Sequence, residues 1–263
     1  MPRSASLTPP KGGMQAIANS LVRKALAAGV EIRYNAHVAE IKVEEGQVLG
    51  VVTDDGLTEP ADIVISNAPA LSTYISLVKN SKPKQIEQLK KLPLQSPGVC
   101  VYMMVKGKQP PYYIQFKLQE NACIAFVQPA VVDETIGKDG WYPARLIAPL
   151  PHDKAKEMTE EGQRKWINAL VADTWWQTNI EDYKMLHQRT SFEWGRECNL
   201  YEDSMNPVMT SEFMRKGRIA HRSSEVKGLY LSGSATHPGQ WVSFCAVSGV
   251  LAADCVLEDL AHA

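Results

Sequence analysis

Apolar residues at Met14, Ile17, Leu21, Ala25 and Ala28 fall at three- and four-residue intervals, which predicts an amphipathic helix near the start of the chain. After Gly29 the period shortens. Three runs, 31–34, 37–43 and 48–53, read as strands, with turns at Glu45-Gly46 and Asp54-Asp55-Gly56 separating or closing them. A polar segment over 81–92 is helical in pattern, and the stretch from Pro93 to Pro97 breaks it. Beyond that break, 98–105 is a dense apolar strand, followed by strand-like runs at 114–117, 123–127 and 144–148. Residues 154–176 predict one helix with Ile167, Leu170, Val171 and Thr174 on a common face. Near the end, the short apolar strand Leu229–Leu231 stops at Gly233. A turn of small residues follows, and an alanine-rich helix opens after Pro238-Gly239, over 240–259.

The last of these elements carries the candidate chemistry. A strand, a small-residue turn and a helix aim free backbone N–H groups and the positive end of a helix dipole at one point, an arrangement that suits an electron-rich ligand. The string is Gly228-Leu-Tyr-Leu-Ser-Gly-Ser-Ala-Thr-His-Pro-Gly239, with Ser248-Gly249 and Ala252-Ala253 in the helix behind it. It resembles the C-terminal flavin-contacting segment of FAD-dependent oxidoreductases of the phytoene desaturase, carotenoid isomerase and retinol saturase type. A second match precedes it in the order that family has. Pro-Lys-Gly-Gly-Met over 10–14, Gly29-Val30, the strand runs with their Asp55-Gly56 turn, and Ala-Asp-Ile-Val-Ile-Ser-Asn-Ala-Pro over 61–69 resemble the middle of the same flavoenzymes.

The resemblance implies an α/β fold with an α+β insert. An incomplete FAD/NAD(P)-binding Rossmann-like domain is expected from two segments, 1–78 and 211–263, around a mixed-sheet substrate-binding domain over 79–210. The first helix and the last would then flank Leu229–Leu231. Carried over residue by residue, FAD would be held by the Gly12-Gly13 turn near the flavin and substrate, and by Val38 at the adenine. Gly233 and Ser234 would approach the ribityl–phosphate region, and His237, Pro238, Gly239, Gln240 and Trp241 the isoalloxazine. The chain departs from the family string at Gln240-Trp241 and at Phe244, where glycines are usual. No Gly-x-Gly-x-x-Gly occurs in the 263 residues, although the family opens with that pyrophosphate-binding turn. The resemblance therefore covers nearly all of this chain but only about the C-terminal half of the family. It implies that the missing segment comes from a partner chain, from sequence outside the 263 residues, or through homo-oligomer formation.

Three functions follow for comparison: a desaturase-like oxidoreductase acting on a hydrophobic small molecule, a flavin-free isomerase or cyclase on the same scaffold, and a non-catalytic binding subunit. Trp175, Trp176 and Trp194 lie close enough in sequence to be candidates for lining a substrate pocket, while core filling is the commoner use of such residues. His237 is the one histidine in a motif, and His152, His187 and His221 lack metal-ligand spacing, so no metal is expected.

Composition narrows the setting. With 28 basic and 29 acidic residues and a net charge of -1, nothing favours nucleic acid as a partner. Five widely spaced cysteines without a Cys-x-x-Cys point to reduced thiols and a cytoplasmic location. Residues 1–13 are polar rather than signal-like, and 2–10 are expected to be flexible. No apolar run reaches the roughly 20 residues of a spanning helix, and the lipid-soluble substrates of the family it resembles imply peripheral membrane contact as an option.

Overall fold

The computed structural model describes residue 10 and residues 12–79, 82–119, 122–216 and 218–262, so the flexibility expected for 2–10 falls almost wholly outside the described residues. Among the described residues twelve strands occur in chain order: β1 (Val38–Glu44), β2 (Gln47–Thr53), β3 (Thr58–Pro60), β4 (Val64–Ser66), β5 (Leu94–Gln95), β6 (Val99–Gly107), β7 (Ile114–Gln119), β8 (Ala122–Val127), β9 (Trp141–Ala148), β10 (Ile180–Arg189), β11 (Asn206–Pro207) and β12 (Leu229–Leu231). By its contacts the chain divides into two units. One holds the described residues up to Tyr34 with Gly98–Thr190, and the other holds Asn35–Pro97 with the described residues from Ser191 on. This grouping differs from the expected 1–78, 79–210 and 211–263 segments: the first helix (Gln15–Ala27) goes with the five-stranded sheet, not with β12.

The first unit is built on an antiparallel sheet of order β10-β6-β9-β8-β7. Alternation along β6 sends Val99, Val101, Met103 and Val105 to one face, where they meet Ala144, Leu146 and Ala148 of β9 and Ile124 and Phe126 of β8. Ile167, Leu170 and Val171 close this core from the helix Glu160–Ala172. The single helix expected over 154–176 is two, His152–Glu157 and Glu160–Ala172. Met158 and Thr159 are extended between them, and the Thr159 hydroxyl caps the second helix by accepting the Gly162 N–H at 3.0 Å. The expected strand at 31–34 is absent, because that stretch has no regular structure. β10 was not legible at all.

The second unit combines the meander β1-β2-β3, the short pair β5-β11 and a two-stranded parallel sheet of β4 and β12. The parallel pairing aligns Leu229 with Val64, Tyr230 with Ile65 and Leu231 with Ser66. Ile41, Val43 and Val48 of the meander, Leu71, Tyr74 and Leu77 of the following helical segment, and Leu229 and Leu231 make one core. The terminal helix, Val242–Ala261, buries only Ser248 and Ala252 fully.

Candidate functional site

The carboxyl ends of β4 and β12 lie side by side, since these strands run parallel in register. In open α/β sheets, ligands bind beyond the carboxyl ends of adjacent parallel strands. Each strand here runs straight into one of the two motif strings: β4 into Ser66-Asn67-Ala68-Pro69, β12 into Ser232-Gly233-Ser234-Ala235-Thr236-His237. The Asn67 amide donates to Ser232 Oγ at 3.2 Å, which ties the two strings together across 165 residues of sequence.

Gly233 is a glycine for packing reasons. Its φ is +102°, and a Cβ there would sit 2.8 Å from Asn67 Nδ2. Its N–H donates to Ser248 Oγ at 2.8 Å, so this donor is spent inside the protein. Thr236 Oγ1 donates to the Gly233 carbonyl at 2.8 Å, which leaves the Ser248 hydroxyl to donate to Thr236 Oγ1 at 2.6 Å. All three residues are buried, and the loop is thereby clamped to the terminal helix. Ser234 reaches outward instead, donating to Asn206 Oδ1 at 3.0 Å, while the Asn206 amide donates to Gln240 Oε1 at 3.3 Å. Gly239 is the second required glycine: its φ is +132°, and a Cβ would lie 2.7 Å from Arg218 Nη2. The Arg218 guanidinium thus lies directly against the turn that opens the terminal helix. The His237–Pro238 peptide is cis.

Towards solvent the loop presents His237 and Trp241, the latter 75% exposed at φ +110°. Phe244 is 45% exposed in the first turn of the helix. The helix N-terminus, the Arg218 cation and the small residues of the turn together form a donor set of the kind an anionic or electron-rich group takes. These features fit the flavin group that the sequence suggests, with Ser234, His237 and Gln240 as the side chains able to contact it. Val38 begins β1 in the same unit, opposite Thr53.

Gly12 and Gly13 belong to the other unit. Their φ angles, +82° and +81°, turn the chain into the first helix, and the Gly12 N–H donates to Asp133 Oδ2 at 3.0 Å. This turn borders a cavity of about 240 Å³ walled by Met14, Val127, Pro129, Ile136 and Pro143, with Tyr102, Tyr113, Arg145 and Asp133 among its polar groups. No sequence signal marked this cavity beyond Gly12 and Gly13, because its walls come from five separate segments of the chain. The aromatic candidates fare differently. Trp176 is fully buried in the core, 5.1 Å from the rings of both Phe126 and Tyr183, and Trp175 packs at the core edge. Trp194 lies in the second unit. None of the three lines the cavity.

The five cysteines are all unbridged, and no helix among the described residues is long and apolar enough to cross a membrane. No metal-holding cluster occurs among the described residues.

Residues 2–111 match the family of flavin containing amine oxidoreductases. Over 95% of its length the chain is 24% identical to a 4,4'-diapolycopene oxygenase of Methylomonas sp, of which it covers 55%. It is 26% identical to the neurosporene-forming phytoene desaturase of Rhodobacter capsulatus, covering 93% of this chain and 52% of that one. Against the chloroplastic prolycopene isomerase of Daucus carota the identity is 27%, with coverage of 95% and 44%. Among solved structures, an oxidoreductase from Methanosarcina mazei shares the fold with a TM-score of 0.62 at 17% identity, covering 95% of this chain and 55% of that one. A putrescine oxidase does so at 0.54 and 17%, covering 94% and 53%. The chain is thus similar to phytoene desaturases and to a prolycopene isomerase, and it spans about half the length of the relatives it matches.

Proposed function

We propose that this chain supplies the C-terminal half of a phytoene-desaturase-like, FAD-dependent oxidoreductase acting on a hydrophobic small molecule. The observation that carries this is the meeting of two motif strings at the carboxyl ends of β4 and β12, tied by Asn67 and Ser232 and clamped to the terminal helix through Ser248. Flavin bound there would supply the hydride acceptor or donor. The protein would contribute the helix N-terminus and Arg218 as electrostatic support, with Ser234 and Gln240, already held by Asn206, in fixed positions. His237, exposed on the same loop, is available to the ring edge.

A pyrophosphate-binding glycine turn must come from elsewhere, on a partner chain or a further segment. The surface prepared for it is the apolar side of the terminal helix, where Val242, Val247, Val250, Leu257 and Leu260 are each 47% to 63% exposed. An apolar surface of that kind is seldom left in water on a finished domain. Unbridged cysteines support a reducing, cytoplasmic setting.

The deciding experiment is a visible absorption spectrum of the purified chain with FAD, alone and after co-expression with the glycine-rich N-terminal half of a phytoene desaturase. The expected result is a flavin band that co-purifies with the two halves together. A colourless complex of the two halves, with excess FAD present, would overturn the proposal.

A further inference from the structure

The second face of the five-stranded sheet, opposite the core, is ordered by strand register. In an antiparallel sheet, residues paired across strands share a face. His187, Tyr102, Arg145, Val127 and Ile114 are paired in sequence across β10, β6, β9, β8 and β7, so they form one continuous row. Two residues along, Arg189, Cys100, Ile147, Ala125 and Phe116 form the next. The first row carries Arg145 on β9 and the second Arg189 on β10, and both rows are apolar towards β7. On the other side of Tyr102 the face continues through Lys184, Met104 and Pro143, and Lys184 lies 4.3 Å over the Trp141 ring.

The cavity of about 240 Å³ sits where the apolar and cationic parts meet, since Val127, Pro143, Tyr102 and Arg145 all line it. Among the described residues of its lining Asp133 is the one acid, and its carboxylate accepts the Gly12 N–H at 3.0 Å and the Thr135 N–H at 3.1 Å. Arg145 is exposed and has no carboxylate partner among the described residues. Tyr102 keeps its ring stacked on His187, with centroids 6.3 Å apart. A wall of Val127, Pro129, Ile136 and Pro143 asks for hydrocarbon, and a guanidinium without an ion-pair partner among the described residues, beside a phenol, asks for a planar, bidentate oxyanion.

We infer that the cavity takes the end of an extended hydrocarbon bearing a carboxylate, with Arg145 as the residue that recognises the anion and Tyr102 donating beside it. The inference rests on the reading of this chain as acting on a hydrophobic molecule, and it narrows that molecule to an amphiphilic acid. The volume lies just below the range of about 300–1,000 Å³ common for whole-ligand pockets, which suits one end of a longer chain.

The test uses cis-parinaric acid, a fluorescent conjugated polyene acid, and its methyl ester, titrated into the purified chain. The acid should bind at least about tenfold more tightly than the ester, as loss of a charge-assisted hydrogen bond implies. Arg145→Gln should remove that difference by weakening the acid far more than the ester, with its thermal melt confirming the fold. Ile136→Trp should fill the cavity and abolish binding of both. Equal binding of acid and ester would overturn the recognition of an anion while leaving a hydrophobic site intact. Binding untouched by Ile136→Trp would overturn the placement, and binding of neither probe would overturn the cavity as a ligand site. The flavin spectrum described above is independent of all three outcomes.

Discussion

Ser248 is the residue on which the candidate loop depends most. Its hydroxyl accepts the buried Gly233 N–H and donates to Thr236, so Ser248→Ala leaves a buried donor unsatisfied. The expected loss is about 1–3 kcal/mol in urea denaturation, with Ser248→Thr less costly because it keeps the hydroxyl. Gly233→Ala should cost more than an ordinary surface change, since it adds strain at φ +102° to a 2.8 Å clash with Asn67. A second residue-scale prediction concerns Asp259, which receives Arg222 Nε at 2.8 Å and the Tyr230 hydroxyl at 2.6 Å. The Arg222 hydrogen bond, followed by that of Tyr230, holds the Asp259 carboxyl below the usual carboxylate range. A group whose pKa falls on folding contributes stability above its unfolded value and loses it as pH drops through the folded one. Wild-type stability should therefore decline below about pH 4 more steeply than that of Asp259→Asn, as urea midpoints measured across that range will show. Cysteine reactivity follows burial: Cys123 and Cys198 are exposed, whereas burial pushes the Cys100 thiol upward. Native alkylation followed by peptide mapping should label the first two well before Cys100.

At the scale of elements, legibility tracked how strongly each segment obeys a single period. The first helix, β1, β2, β6 and the terminal helix stand close to where their patterns place them. Ile180–Arg189 did not read as a strand because most of its residues are exposed, so no apolar alternation marks it; its order comes from pairing with β6 and from Tyr183 against Trp176. The split of 154–176 was equally hidden, since Ile167, Leu170 and Val171 continue a helical period that gives no hint of the extended residues at 158 and 159. Thr159 followed by acidic residues was the available signal, and it marks a helix start. Thr159→Ala should cost about 1 kcal/mol by thermal or chemical melting. The candidate loop was legible as a motif, but its clamp was not. Asn206 and Arg218 reach it from segments with no pattern of their own, and Trp176, a pocket candidate for which core filling is the commoner use, fills the core.

At the scale of the whole molecule, the terminal helix leaves much of its apolar surface exposed. Its mean hydropathy is that of a helix covered on several sides, yet Val250, Leu257 and Leu260 are about 60% exposed. Replacing Val250 and Leu257 together by lysine should leave the melt of this chain within about 0.5 kcal/mol of wild type. The same change should abolish co-purification with a glycine-rich partner half and reduce binding of a hydrophobic dye. Retained co-purification would show that the partner docks elsewhere.

The pairing of β4 with β12 also sets an order of events during synthesis. Val64 waits for Leu229, and the intervening chain includes Gly98–Thr190, whose sheet forms entirely from strands between residues 99 and 189. Loop closure over such a separation is slow compared with local hairpin formation. A growing chain can therefore assemble its five-stranded sheet while the second unit is still lacking β12, and the turn after β12 takes shape only once that strand has paired with β4.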